Sequence, residues 1–212
     1  MEIKMGGILK STWEMLHDGR FLKKALMIAC PVALQGMLNT IVNMVDTLMI
    51  GGLGSTAIAA VGLANKVFFV FSLLVFGIVS GGGILAAQFW GSGDVKNIRK
   101  VLGLCVMLAM VGAMFFVPAL TAPRMVMRIF TTSEGSIELG AKYLRIAALS
   151  YPFIALTNVY VAMLRATNKV VFPVICSCIA IVVNICLNYV LIFGKFGAPT
   201  MGVAGAACAT LT

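Results

Sequence analysis

The sequence predicts an all-α integral membrane protein, a bundle of spanning helices, and three observations predict it. Hydrophobic residues make up 61% of the 212 and charged residues 11%, against about 45–50% and about 25% in soluble domains. The apolar residues gather in runs that reach the roughly 20 residues a spanning helix needs. Short polar turns between the runs hold nearly all the basic residues. The formal charge of +9 therefore reads as membrane topology. A nucleic-acid surface would cluster its basic residues on one face or stripe.

Residues 1–24 form a basic cytoplasmic lead with room for a short amphipathic surface helix around Ile8 to Leu16. The first spanning helix is expected over about 25–50, kinked near Pro31, since membrane helices tolerate proline. The second is expected over 56–90. Its Gly77 and Ser80-Gly-Gly-Gly83 suit either close helix packing or a hinge. Asp94 is placed to cap the next helix, expected over about 101–120. Ser133 to Glu138 reads as a turn and helix start, and the fourth spanning helix as about 141–166 with Pro152 as its kink. A fifth covers about 170–193, and Phe196-Gly-Ala-Pro199 ends the next turn. A sixth opens at Met201 and stops at Thr212, well short of the roughly 20 residues needed to span. The expectation is therefore the N-terminal part of a longer protein.

The basic residues set the orientation. With the N-terminus in the cytoplasm, ten face inward: Lys4, Lys10, Arg20, Lys23, Lys24, Lys96, Arg99, Lys100, Arg165 and Lys169. Five face outward: Arg124, Arg128, Lys142, Arg145 and Lys195. The positive-inside rule favours this arrangement. Lys66 lies within the second helix and either lines a cavity or snorkels to the interface.

The first helix carries the candidate site. With Gln35 at zero and ~100° per residue, Asn39 falls at about 40°, Asn43 at about 80° and Asp46 at about 20°. All four share one face. Asp46 is the only acid deep in an apolar run, where a carboxylate costs several kcal/mol unless it meets a cavity, a partner or a cation. It is read as a cation or proton site, against the alternative of an Asp reaching up to the interface. On the fifth helix, Asn184 and Asn188 stand four apart and point the same way. Asp46 lies 22 residues beyond Lys24, about 33 Å, and Asn188 lies 19 beyond Lys169, about 28 Å, so the two reach a similar depth. They form either an oxygen-ligand set or an interhelical hydrogen bond.

Other chemistry finds no support. The cysteines Cys30, Cys105, Cys176, Cys178, Cys186 and Cys208 all lie in apolar segments, and His17 is a lone histidine in the polar lead. No catalytic triad, metal-ligand cluster, phosphate loop or dinucleotide motif is present. The reading is neither enzyme nor cofactor protein. A Na⁺ at Asp46 is the one metal ion it leaves room for.

Several segments resemble the N-terminal half of the multidrug and toxic compound extrusion (MATE) transporters. They include Pro31-x3-Gln35, Val45-Asp46-Thr47-x-Met49-Ile50-Gly51, Ala59-Ala60-Val61-Gly62-Leu63-Ala64, Gln88-x2-Gly91-x-Gly93-Asp94, Leu164-Arg165-Ala166, Asn184-x3-Asn188 and Gly202-Val203-x-Gly205-Ala206-Ala207. The likeness runs from about Phe21 to Thr212 in order and fits the bacterial branch. It implies twelve helices in two pseudo-symmetric six-helix lobes in the bacterial inner membrane. This chain would be the N-lobe with an incomplete sixth helix, lacking the C-terminal lobe. It implies export of cationic or amphipathic compounds in exchange for Na⁺ or H⁺. Asp46 matches the family's cation site and Asn184 a further polar position. Asn188 stands where several members carry Asp, which puts a two-acid site in doubt. Gln35, Tyr151 and Thr210 fall at or near other polar positions. The alternatives are a lipid-linked oligosaccharide flippase of the same superfamily and an inactive membrane module.

Overall fold

The computed structural model describes residues 19–194 and 201–211. The expected surface helix around Ile8 to Leu16 and the Phe196–Pro199 turn lie outside the described residues.

The first helix, α1, runs Gly19–Gly51 with Pro31 inside it. Gly54 has a φ of 107°, open to glycine and strained for other residues, and it turns the chain into α2, Ser55–Gly91. Gly93, at a φ of 75°, makes the next reversal. Asp94 then caps α3, Val95–Met114, accepting from the Asn97 N–H at 3.1 Å. This helix begins earlier than the expected 101 and ends before the expected 120. The cap at Asp94 sets its start. Its end follows from Pro118, whose missing N–H cannot continue the ladder. Two short helices follow, α4 (Val117–Thr121) and α5 (Pro123–Arg128), each with proline in its first turn. The fourth long helix, α6, runs Glu134–Ala166 with Pro152 inside, so the expected start at 141 moves back to the residue after Ser133. A turn at Asn168, with a φ of 60°, leads to α7, Val171–Phe193, which Gly194 closes in the left-handed conformation. The last helix, α8, spans Val203–Leu211.

Among the described residues four stretches are long and apolar enough to cross a membrane: α2, α3, α6 and Val171–Ile192 of α7. The 33-residue α1 matches them in length, about 50 Å at 1.5 Å per residue, and carries the polar stripe. Its opposite face, with Leu34, Met37, Ile41, Met44 and Leu48, is exposed and apolar, the surface a bilayer would cover.

The helices form two slabs. In one, α6 packs along α2 and α3, with α4 and α5 beside it. In the other, α1 packs along α7. The short α8 lies against both α6 and α7, and α1 touches α2 only lightly. Small residues let the backbones approach. Ala57, Ala60, Ala64 and Ala86 of α2 are buried, as are Ala147, Ala148 and Ala155 of α6. In Ser80–Gly83 one glycine explains the run: a Cβ on Gly82 would meet Cys105 Sγ of α3 at 2.2 Å, whereas Gly81 and Gly83 face open space. Gly205 faces backbone first, since a Cβ there would meet the Leu191 carbonyl carbon and oxygen at 2.7 Å. That contact presses α8 onto α7.

Candidate functional site

The space between the slabs holds two adjoining cavities, and the polar face of α1 runs past both. The first has a volume of about 460 Å³ and is lined by Asn43, Asp46, Asn65, Tyr143, Tyr151 and Thr210, among others. The second, about 600 Å³, is lined by Gln35, Asn39, Ser72, Phe76, Arg165 and Ser177, among others. Phe68, Ser72 and Ile154 serve as wall to both.

At the first cavity, α1, α7 and α8 are joined by a chain of amides. The Asn188 side-chain N–H₂ donates to Asp46 Oδ1 at 2.6 Å and to Asn184 Oδ1 at 3.0 Å. Asn184 in turn donates to the Ala209 carbonyl of α8 at 3.0 Å. Asn188 is fully buried and Asp46 half-buried. Both Asn188 hydrogens are committed to these acceptors, while its Oδ1 is buried with no donor. Such an orphan costs of order 1–3 kcal/mol. The Tyr151 hydroxyl is a second buried group without a partner. Its ring is fixed by stacking on Phe71, with centroids 4.6 Å apart and planes at 12°, by an edge contact with Phe116 and by a tilted contact with Phe68. The hydroxyl therefore cannot swing away to find a partner. Asp46 and Tyr151 line this cavity and Asn188 is bonded to Asp46 beside it; oxygen donors of this kind suit a hard cation or a proton.

The stripe read as one site thus divides. Asp46, Asn184 and Asn188 come together, with Asn43, Tyr151 and Thr210 at the same cavity. The Thr210 hydroxyl donates to the Ala206 carbonyl at 3.0 Å, so its acceptor pairs remain for the cavity. Gln35 and Asn39 belong to the second cavity. Gln35 is buried; its amide N–H₂ donates to Ser177 Oγ of α7, and its Oε1 accepts from Arg165 Nη2 of α6 at 2.6 Å. Pro31 and Pro152 lie within unbroken helices. Lys66 is exposed and lines neither cavity. Sequence reasoning did not single out Asn65, Ser72, Tyr143 or Ser177, and it read Arg165 as a topology charge and as part of the Leu164-Arg165-Ala166 segment, with no role at a site. Arg165 had a usable signal, since it stands in the last turn of a spanning segment.

Comparisons with known proteins identify the family. The family model described as MatE matches residues 31–190. The chain belongs to the MatE family. Over 190 residues it is 32% identical to the probable multidrug resistance protein NorM of Thermotoga maritima, covering 89% of this chain and 41% of that protein. It is likewise 32% identical to the probable multidrug resistance protein YoeA of Bacillus subtilis, covering 85% and 40%. An outward-facing multidrug resistance MATE family transporter of the MOP superfamily superposes with a TM-score of 0.78 at 25% identity, over 89% of this chain and 41% of that one. A MOP superfamily transporter from Pyrococcus furiosus, described as having a binding pocket of reverse polarity, matches equally well. The chain spans about two fifths of the length of these relatives. The fold is one lobe of such a transporter.

Proposed function

We propose that this chain is the N-lobe of a cation-coupled antiporter that exports cationic or amphipathic compounds across a bacterial plasma membrane, with its N-terminus in the cytoplasm. The observation that carries the reading is the Asp46–Asn188 pair. A carboxylate at membrane depth is held by an amide whose own oxygen is buried without a donor. A bound cation would supply the positive charge that both oxygens lack.

In this mechanism Asp46 takes the coupling Na⁺ or H⁺ from the outer side. Asn188 holds the carboxylate in place by its N–H₂, and its Oδ1 becomes a neutral ligand. Asn184 locks the Asn188 amide and ties it to α8. Loading the site neutralises Asp46 and removes the reason for the cationic group of a cargo to stay in the cavity that Asp46 lines, so ion entry and cargo release are coupled by charge. Pro31 lies 15 residues, about 22 Å, from Asp46 on the same helix. Its missing hydrogen bond gives α1 a place to bend as the outer half shifts.

The test is gradient-driven dye efflux in membrane vesicles prepared from cells expressing the native protein. Asp46→Asn should abolish efflux driven by a Na⁺ or pH gradient while leaving the amount of protein in the membrane unchanged. Full efflux in that variant would overturn the reading.

A further inference from the structure

We infer that the second cavity is a separate subsite for the anionic end of an amphipathic molecule, with Arg165 as its charge-selecting residue. The argument starts from the direction of the hydrogen bonds. Gln35 is buried and bonded at both ends of its amide, so its orientation is fixed: N–H₂ toward Ser177, oxygen toward Arg165. Ser177 Oγ accepts from Gln35, which leaves the hydroxyl hydrogen of Ser177 to donate elsewhere. Arg165 gives one N–H to Gln35 and has further donors in its fixed fork. Asn158 spends a side-chain N–H on the Ile154 carbonyl and stays in place on the same wall.

The charges agree with the donors. Among the described residues Arg165 is the only formally charged one lining this cavity, and no carboxylate among them lines it. Among the described residues the ion pairs are Arg128–Glu134 and Lys142–Glu138, so Arg165 has no acidic partner there. Asp46 belongs to the other cavity. Facing the polar end, Phe68, Phe71 and Phe76 supply an aromatic wall. A cavity of about 600 Å³ is within the range that takes a drug-sized molecule. An arginine with a hydroxyl donor beside it suits a carboxylate, sulfonate or phosphate, because such bonds are charge-assisted and can be bidentate. A cationic head would be repelled from this end and drawn to Asp46. The cleft is therefore bipolar and fits a cargo with an acidic end toward Arg165 and an apolar ring system along α2. This deepens the exporter reading by naming a cargo class and rests on that reading only for the sense of transport.

The test uses a matched pair of probes, dansylglycine and its neutral amide, which share the fluorophore and differ in one carboxylate. The native protein is reconstituted in nanodiscs of zwitterionic lipid, and binding is read by fluorescence anisotropy. The acid should bind about tenfold tighter than the amide, the scale of one charged hydrogen bond. Arg165→Gln should bring the two within about twofold, and Arg165→Lys should keep most of the preference. Should Arg165→Gln fail to fold, Ser177→Ala takes its place and should reduce the preference severalfold. Competition by nanodiscs containing phosphatidylglycerol would identify a lipid headgroup as the natural source of the anion. Competition by soluble aromatic carboxylates alone would identify a free amphipath. No preference in the native protein, or one that survives Arg165→Gln and Ser177→Ala, would overturn the inference. Because the readout is equilibrium binding, it can fail while Asp46-dependent efflux stands, and the reverse.

Discussion

The two polar clusters on α1 use the same device and end with opposite charge. At Asp46 an amide from α7 donates to an acid and leaves its oxygen buried and unpartnered. At Gln35 an amide of α1 accepts from a guanidinium and donates to a hydroxyl, so both its ends are satisfied. The first cluster lacks positive charge and the second has an excess of it. One is completed by a cation, the other by an anion. Their burial also differs: Asn188 is fully buried, while Arg165 is exposed. Removing a partner should therefore cost more at the Asp46 end, because Asn188 is shut off from solvent.

That comparison can be pushed to breaking. The largest effect is expected from Gly205→Ala, which drives a methyl into the Leu191 carbonyl group and lifts α8 from α7. Overpacking against backbone should cost about 3 kcal/mol in reversible unfolding in micelles. It should also weaken the Asn184–Ala209 link and with it ion binding, leaving the Gln35 cluster intact. Asn188→Leu keeps the branched outline of the side chain, adds bulk, and strips Asp46 and Asn184 of their donor. It should cost about 2–3 kcal/mol by the same measurement. Gln35→Leu should cost only about 1 kcal/mol, because the exposed Arg165 can turn to water. If Gln35→Leu proved as damaging as Asn188→Leu, the contrast in burial would not be what separates the two ends. The smallest effect is expected from Gly62→Ala, where an added Cβ meets nothing within 4 Å. A gain of about 0.5 kcal/mol is expected there, from helix propensity and a less flexible unfolded chain.

How much of this was legible in the sequence depends on which coordinate the pattern encodes. Helical angle was legible, so Gln35, Asn39, Asn43 and Asp46 were rightly placed on one face. Depth along a helix was legible for Asp46 and Asn188, because each could be counted from a basic residue at the membrane edge. Partnership was not legible. Gln35 and Asp46 are 11 residues apart, about 16 Å along the axis, and one stripe of that length passes two cavities. The contributions of Ser177 and Tyr143 depend on how α7 and α6 are rotated about their own axes, which a single chain pattern leaves open. Arg165 was read by its nearness to a turn, yet it lies in the last turn of α6 and reaches Gln35 across the cleft. The break of α3 at Phe115 and Phe116 could have been anticipated from Pro118, since a residue without an N–H seldom sits in a helix interior. The early start of α6 was partly visible at Ser133 to Glu138.

The central claim is that Asp46 with Asn188 holds the coupling ion. The most direct measurement is ion binding to the purified native protein, by Na⁺ titration in a calorimeter and by proton release in weak buffer. A saturable signal in one of the two that is lost in Asp46→Asn, and weakened about tenfold or more in Asn188→Leu, is the result expected. An undiminished signal in Asp46→Asn would place the ion elsewhere and contradict the account.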